Sequence, residues 1–314
     1  MKPQHARRVT IPEGMSPVFL PIGTISENQV AVIGSMGEFF IHGGSNAAIA
    51  QYARWDQPDQ QPELERIVAG WTSLIRGRHE RVSAMGARFF QTLIPEKSSL
   101  YPHMLPAEYA HITGPTAALA GINRELSNNP DWYVDAFSVL DGDASDDRMW
   151  PRTGSHWTPA GARALTVDIV RRIDPRAAAE VGSLQLTSSA EIESDLGKHM
   201  LGSRISERAP APDLDAMPFG RSLTQLEMSY EGESKWSSWR CDDALIDQRV
   251  IVFGNSYTQV IPIMDRLSWW IARVFRESQF IWTPEVKDEI IEDYKPDVVI
   301  AQGIERFLPT IPAR

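Results

Sequence analysis

The first group in this sequence with a reason to react is a hydroxyl placed at the end of an apolar run. Val250-Ile251-Val252-Phe253 is apolar and mostly β-branched, it stops at Gly254, and Ser256 follows two residues later. Residues 259–277, with Trp269 beside Trp270, have helical spacing, so the serine is expected where strand becomes helix. At the carboxyl end of a parallel strand such a side chain points into the crevice above the sheet, and the N–H groups of the incoming helix would face an oxyanion formed there. Gly and Ser also fill ordinary strand-to-helix turns as N-caps, so this stretch alone leaves a plain turn open.

The second group is a histidine. In Arg152-Thr153-Gly154-Ser155-His156-Trp157-Thr158-Pro159-Ala160-Gly161-Ala162, Thr158 can N-cap a helix and Pro159 can stand at its first position, with the helix running to Ile173. That would hold the His156 imidazole near the sheet's edge as a base, although a hydrogen-bonded structural histidine fits the same residues. The other histidines, among them His42, His79, His103, His111 and His199, have no metal-ligand spacing with each other or with Cys241, so no metal site is expected. Asp141, Asp143, Asp146 and Asp147 lie in a loop between residues 140 and 150. That loop lacks an EF-hand's ligand pattern and closing Glu and reads as a solvated turn.

The elements that must position these groups follow from periodicity. Residues 30–34 and 38–41 read as two strands joined at Ser35-Met36-Gly37, and residues 63–85 as an amphipathic helix. Residues 88–94 form a strand ending in Pro95-Glu96-Lys97, where Lys97 would face either substrate or solvent. Residues 107–126 read as a helix, 132–137 as a short buried strand, 279–282 as a strand, 285–293 as a helix and 297–301 as a last strand followed by Glu305 and Arg306, a candidate ion pair. Alternating strand and helix predicts an α/β three-layer sandwich with a mostly parallel sheet. Residues 1–29, rich in Pro and polar residues, read as an irregular arm, and residues 30–314 as the domain. Within it, residues 176–247 are poorly patterned and read as an insertion in which only 190–201 has helical spacing. There Trp236, Trp239 and Arg240 could line a sugar groove or simply pack the excursion on the sheet.

Composition narrows the function. The chain has 314 residues, 42% hydrophobic and 23% charged, enough for one large domain. A net charge of −10 argues against nucleic acid or an anionic membrane surface as partner. The single Cys241 allows no intrachain disulfide framework. No stretch reaches the roughly 20 apolar residues of a membrane span. The residues after Met1 are polar, without the apolar core of a signal peptide, so the sequence as written reads as cytoplasmic, and as extracytoplasmic if a leader has been removed.

Several stretches together resemble the SGNH-hydrolase-like domain of bacterial polysaccharide O-acetyltransferases, the alginate acetylation group (AlgX/AlgJ-like). They are residues 34–46, Ile94-Pro95-Glu96-Lys97 with Tyr101-Pro102, Tyr133-Val134-Asp135, residues 155–162, residues 193–201, Phe253-Gly254-Asn255-Ser256-Tyr257 and residues 296–308. The histidine motif stands about a hundred residues before the serine motif, whereas ordinary SGNH hydrolases place serine first, so the order resembles a permuted arrangement. The resemblance implies an SGNH-like fold and an O-acetyltransferase or acetylesterase acting on carbohydrate hydroxyls with no cofactor. A carbohydrate or polysaccharide acceptor, an acyl donor and acetylation-complex partners would belong to it. Ser256 would be the nucleophile and His156 the base, with Asn255, Tyr257, Lys97 and Arg306 as oxyanion or substrate contacts. The Ser256 N–H would be one oxyanion donor.

One departure bears on activity. The family motif has Asp two residues before the histidine, where this chain has Gly154; in the serine-protease template, disabling the third member costs roughly 10⁴-fold in turnover. Asp146, Asp147 or Glu305 could reach the histidine instead, a Ser-His dyad could work on a backbone carbonyl, or catalysis could be lost. A catalytically impaired carbohydrate-binding or assembly protein of the same fold, and a cytoplasmic esterase of a small acylated metabolite, therefore stand beside the transferase reading.

Overall fold

The structure is a computed structural model that describes residues 9–10, 20–44, 46–129, 131–141, 148–203, 205–230 and 235–313. Most of the N-terminal arm, and Asp143, Asp146 and Asp147, lie outside them. In the first part of the chain, β1 (Val9–Thr10) precedes the hairpin of β2 (Ala31–Ile33) and β3 (Phe39–Ile41), closed at Ser35–Gly37 as the sequence predicts. Then come α1 (Ala50–Arg54), the long α2 (Gln61–Ala84), β4 (Arg88–Ile94) and α3 (Lys97–Leu100). The helix expected over 107–126 begins only at Ala117, as α4 (Ala117–Leu126). Pro115 precludes an earlier start, and Thr116 caps the helix by accepting the Leu119 N–H.

Similarly, β5 (Tyr133–Val134) is cut short because Asp135 turns the chain, accepting the Phe137 N–H as α5 (Ala136–Asp141) begins. The predicted Thr158 cap and Pro159 start are found in α6 (Pro159–Ile173), followed directly by α7 (Pro175–Ser183). The stretch expected to be poorly patterned is largely β-structure. β6 (Ser188–Ser194), α8 (Gly197–Leu201) and β7 (Ile205–Ala211) form a hairpin that β1 extends through β7. The helix expected over 190–201 is thus half strand: the alternation of polar and apolar residues around Ile192 has a period of two, which shared apolar content obscured.

The remaining elements are β8 (Leu223–Ser229), β9 (Trp236–Cys241), β10 (Ile246–Gly254), α9 (Leu267–Val274), β11 (Phe275–Trp282), α10 (Asp288–Tyr294) and β12 (Val298–Ile304). The seven-stranded sheet has the order β5-β4-β12-β10-β11-β9-β8; β5, β4, β12, β10 and β11 run parallel, and β9 and β8 add antiparallel at one edge. Both faces of the central parallel strands β4, β12 and β10 are buried, as a parallel core requires. Val250, Val252, Phe90 and Ile300 point into a core with α6 and α9, while Ile251, Phe253, Phe89 and Val299 point into another with α2 and α4. This is the expected α/β three-layer sandwich. It brings the carboxyl ends of β4, β12 and β10, and hence Glu96, Glu305 and Ser256, to one edge. No helix among the described residues is long and apolar enough to cross a membrane.

Candidate active site

Ser256 sits in a tight turn rather than at a helix start. β10 ends at Gly254, where a Cβ would come within 2.8 Å of the Thr258 Cβ and closer still to its hydroxyl, so only glycine lets the chain fold back here. The turn is closed by Thr258 and Gln259 N–H groups on the Asn255 carbonyl, at 3.0 and 2.8 Å, and by the Tyr257 N–H on Asn255 Oδ1 at 3.0 Å. The helix expected from 259 begins at Leu267, after Pro262 has interrupted the pattern. Its first N–H groups, those of Leu267 and Ser268, bind the carbonyls of Tyr257 and Thr258 at 3.0 and 3.2 Å. The helix terminus therefore braces the turn and has no such donors left for an oxyanion, which corrects that expectation.

His156 is brought to this turn by aromatic packing. Its ring lies 4.9 Å from that of Tyr257, the residue after Ser256, and Trp157 meets the same tyrosine edge-on at 5.0 Å. The Tyr257 hydroxyl donates to the Ser155 carbonyl at 2.5 Å, and Trp150 Nε1 donates to the same oxygen at 3.2 Å. Tyr257 is fully buried and its polar groups are engaged within the fold, so it is a strut and not the expected substrate contact. On the other side, Thr158 fixes the histidine by capping α6 and donating to the Arg148 carbonyl at 2.6 Å.

The carboxylate facing His156 is Asp195, directly after β6. Its Oδ2 lies 3.5 Å from His156 Nδ1 and accepts the Ser155 hydroxyl at 2.5 Å, while Oδ1 accepts the Ser155 N–H at 2.7 Å. The Ser155 hydroxyl is itself 3.3 Å from Nδ1. The hairpin is docked on this loop at further points: Glu207 of β7 accepts the Arg152 and Thr153 N–H groups at 2.9 and 2.6 Å, and the Ser194 hydroxyl donates to the Thr153 carbonyl. Burial works against the Asp195 charge, but hydrogen bonds from His156 and Ser155 outweigh it and hold the carboxyl well below its usual range. His156 is lowered from 6.5, mainly by burial, with Arg266 and Arg306 adding to the effect and Asp195 opposing it. Its Nε2 is buried and has no hydrogen-bond partner among the described residues.

The remaining expected site residues are placed differently. Lys97, expected to face substrate or solvent, is buried: it pairs with Glu38 at 2.9 Å and donates to the carbonyls of Phe39, Pro151 and Arg152 at 3.0, 2.7 and 2.6 Å. Arg306 is not paired with Glu305. Its Nη1 reaches both Glu96 carboxylate oxygens at 2.9 Å, a buried pair that fixes the guanidinium at the sheet edge. Glu305 does not orient the histidine either. It accepts the Glu96 N–H, the Ser99 hydroxyl and the Thr116 N–H, and burial pushes its carboxyl up to about 7 despite these bonds. Trp236 and Trp239 lie half-buried on β9. Asp146 and Asp147 lie outside the described residues.

Asn255 keeps a surface role. It lines a cavity of about 530 Å³ at the carboxyl edge of the sheet with Gln302, Trp282 and Phe307. Asp195 escaped the sequence reading although it lies inside the resembling stretch 193–201, because forty positions separate it from Ser155 and its pairing depends on a hairpin taken there for helix.

The comparisons with known proteins agree with this architecture. The fold matches the O-acetyltransferase domain of Pseudomonas putida AlgJ with a TM-score of 0.56 and 15% identity, over 89% of this chain and 92% of that one. It also matches a DHHW family protein from Eubacterium siraeum with a TM-score of 0.54 and 14% identity, over 92% of this chain and 96% of that one. No curated protein matches the sequence. A family model matches residues 53–259, two-thirds of the chain, a span containing both the histidine motif and the serine turn: the chain belongs to the family described as SGNH hydrolase-like domain, acetyltransferase AlgX.

Proposed function

We propose that the protein is a carbohydrate O-acetyltransferase working through an acyl-Ser256 intermediate, with His156 as base and Asp195 as the third member of the triad. The observation that carries this is the division of the imidazole. Nδ1 faces a carboxylate held ionised, while Nε2 is buried beside the serine turn with no partner. A carboxylate at Nδ1 favours the tautomer with its proton there and leaves the Nε2 lone pair to accept the serine proton.

In the first half-reaction Ser256 Oγ bonds to the acyl carbonyl carbon as its proton passes to Nε2. Collapse of the tetrahedral intermediate breaks the bond to the leaving group, which takes that proton. In the second, a sugar hydroxyl gives its proton to Nε2 and attacks the acyl-serine, and water in its place would make the enzyme an esterase. The Ser256 N–H takes no part in the hydrogen bonds that close its turn and is the proposed first oxyanion donor. With its Oδ1 accepting the Tyr257 N–H, Asn255 is the proposed second donor through its NH₂.

The test is acetyl release from a chromogenic acetyl ester. Ser256→Ala should lower the rate by at least about 10³-fold and abolish labelling by a serine-directed phosphonate. Equal rates in wild type and variant would remove the assigned nucleophile.

A further inference from the structure

The central sheet outgrows the helices that cover it. α10 packs through Ile291 into the core around Ile251, Val299 and Ile281, whereas β9 and β8 continue beyond it. A groove of about 990 Å³ opens between α10 and the exposed face of β11, β9 and β8. It shares Trp282 and Pro284 with the cavity lined by Asn255, the residue before the proposed nucleophile, so the two adjoin.

The lining of this groove has three features that bear on its ligand. Trp236 and Trp282 are half-buried there, giving flat apolar surfaces of the kind on which sugar rings stack. Gln279 Oε1, on the floor, is a buried acceptor without a hydrogen-bond partner among the described residues, suited to a hydroxyl or ammonium proton. The walls carry Glu227, Glu285, Glu289 and Asp293 against Lys287, and among the described residues Glu227, Glu289 and Asp293 are in no ion pair. One further cation, Lys235, stands over the Trp282 ring at 5.4 Å.

We propose that the groove and the cavity form one acceptor track, and that the chain it receives is an amino-bearing glycan, a hexosamine polymer with free ammonium groups. The inference rests on the acyl-serine reading, since the track matters to the reaction only if Ser256 is acylated at its end. Ammonium groups would meet the wall carboxylates while the ring faces stack on the tryptophans. A polyuronate would bring like charges together, so the same walls select against it.

The experiment is direct binding to the full chain without an acyl donor, by calorimetry at low ionic strength. Three probes are compared: a β-1,4-glucosamine hexamer, the neutral N-acetylglucosamine hexamer and a galacturonate hexamer. The glucosamine hexamer should bind about tenfold more tightly than the neutral one, and the galacturonate hexamer more weakly than either. The double substitution Glu289→Gln and Asp293→Asn, on the exposed side of α10, should weaken glucosamine-hexamer binding about fivefold and leave the neutral hexamer unchanged. The proposal is overturned if galacturonate binds as tightly as glucosamine, if none of the three binds, or if the double variant leaves the glucosamine-hexamer Kd unchanged. No bond is made in this measurement, so its failure would leave the acyl-serine assay standing, and failure of that assay would leave the binding result standing.

Discussion

A Cβ built on Gly154 would point to within 3.7 Å of Asp195 Oδ1. The space that a side chain at position 154 would enter is thus faced by a carboxylate arriving from the end of β6. The same Cβ would meet the Pro151 ring at 2.8 Å, so a side chain at position 154 is also opposed sterically. On the proposed triad Gly154 and Asp195 belong together: the small residue leaves room, and the distant one would supply the charge.

Asp195→Ala should therefore lower kcat for acetyl-ester turnover by about 10³- to 10⁴-fold with KM little changed, as for other third members. Gly154→Asp alone should also impair the enzyme, by adding a like charge and a clash. The double variant Gly154→Asp with Asp195→Ala should recover part of the loss. A double variant no better than Asp195→Ala in steady-state kinetics would separate the two positions.

The pH profile follows from the imidazole's surroundings. Burial lowers His156 from its ordinary 6.5, so the unprotonated base persists to lower pH than in a free histidine. The acid limb of kcat/KM should lie below pH 6.5. Because Asp195 opposes the burial effect, Asp195→Asn should move that limb further toward acid while lowering the plateau. An unchanged limb in this variant would contradict the pairing.

Tyr257→Phe tests the strut. The lost hydroxyl leaves the Ser155 carbonyl with the Trp150 N–H alone, a change of about 1 kcal/mol in stability. Because the bond ties the residue after the nucleophile to the residue before the base, kcat should fall about tenfold while KM stays near the wild-type value. Parallel denaturation and kinetic measurements separate the two effects.

Glu305 should make stability fall as pH rises. Its folded value of about 7 lies above its ordinary 4.5, so the folded protein binds the extra proton between those values. The resulting stabilisation is complete below about pH 4.5 and is lost as pH rises through about 7, a change of order 3 kcal/mol. Glu305→Gln should flatten that part of the curve in urea titrations and cost about 1–3 kcal/mol overall, because an amide N–H₂ would meet a backbone or hydroxyl donor.

Lys97→Met should destabilise the protein by roughly 3 kcal/mol. It leaves buried Glu38 with less compensation and frees the carbonyls of Pro151 and Arg152, which hold the base of the histidine loop. Thermal unfolding is the readout.

The sequence disclosed what is local. The apolar, mostly β-branched run of residues 250–253, the Thr158-Pro159 helix start and the Ser35-Met36-Gly37 turn each depend on neighbours within a few positions, and each is found as read. The assignments that failed depend on distant partners. Lys97 has the sequence surroundings of a loop lysine, and only the approach of Glu38 and three carbonyls buries it. Arg306 stands beside Glu305 in the chain yet pairs with Glu96 across the sheet edge. Asp195 is the extreme case, because it meets Ser155 and His156 only once the β6–β7 hairpin has folded onto residues 152–155.

That hairpin has a consequence for how such chains are recognised. A search demanding an acidic residue just upstream of the histidine would discard this sequence as a dead relative, although an excursion outside the parallel core sets the Asp195 carboxylate 3.5 Å from the imidazole. Where a relative shows the same gap, a carboxylate carried on a ribbon that leans against the histidine loop is the feature to look for before judging it inert.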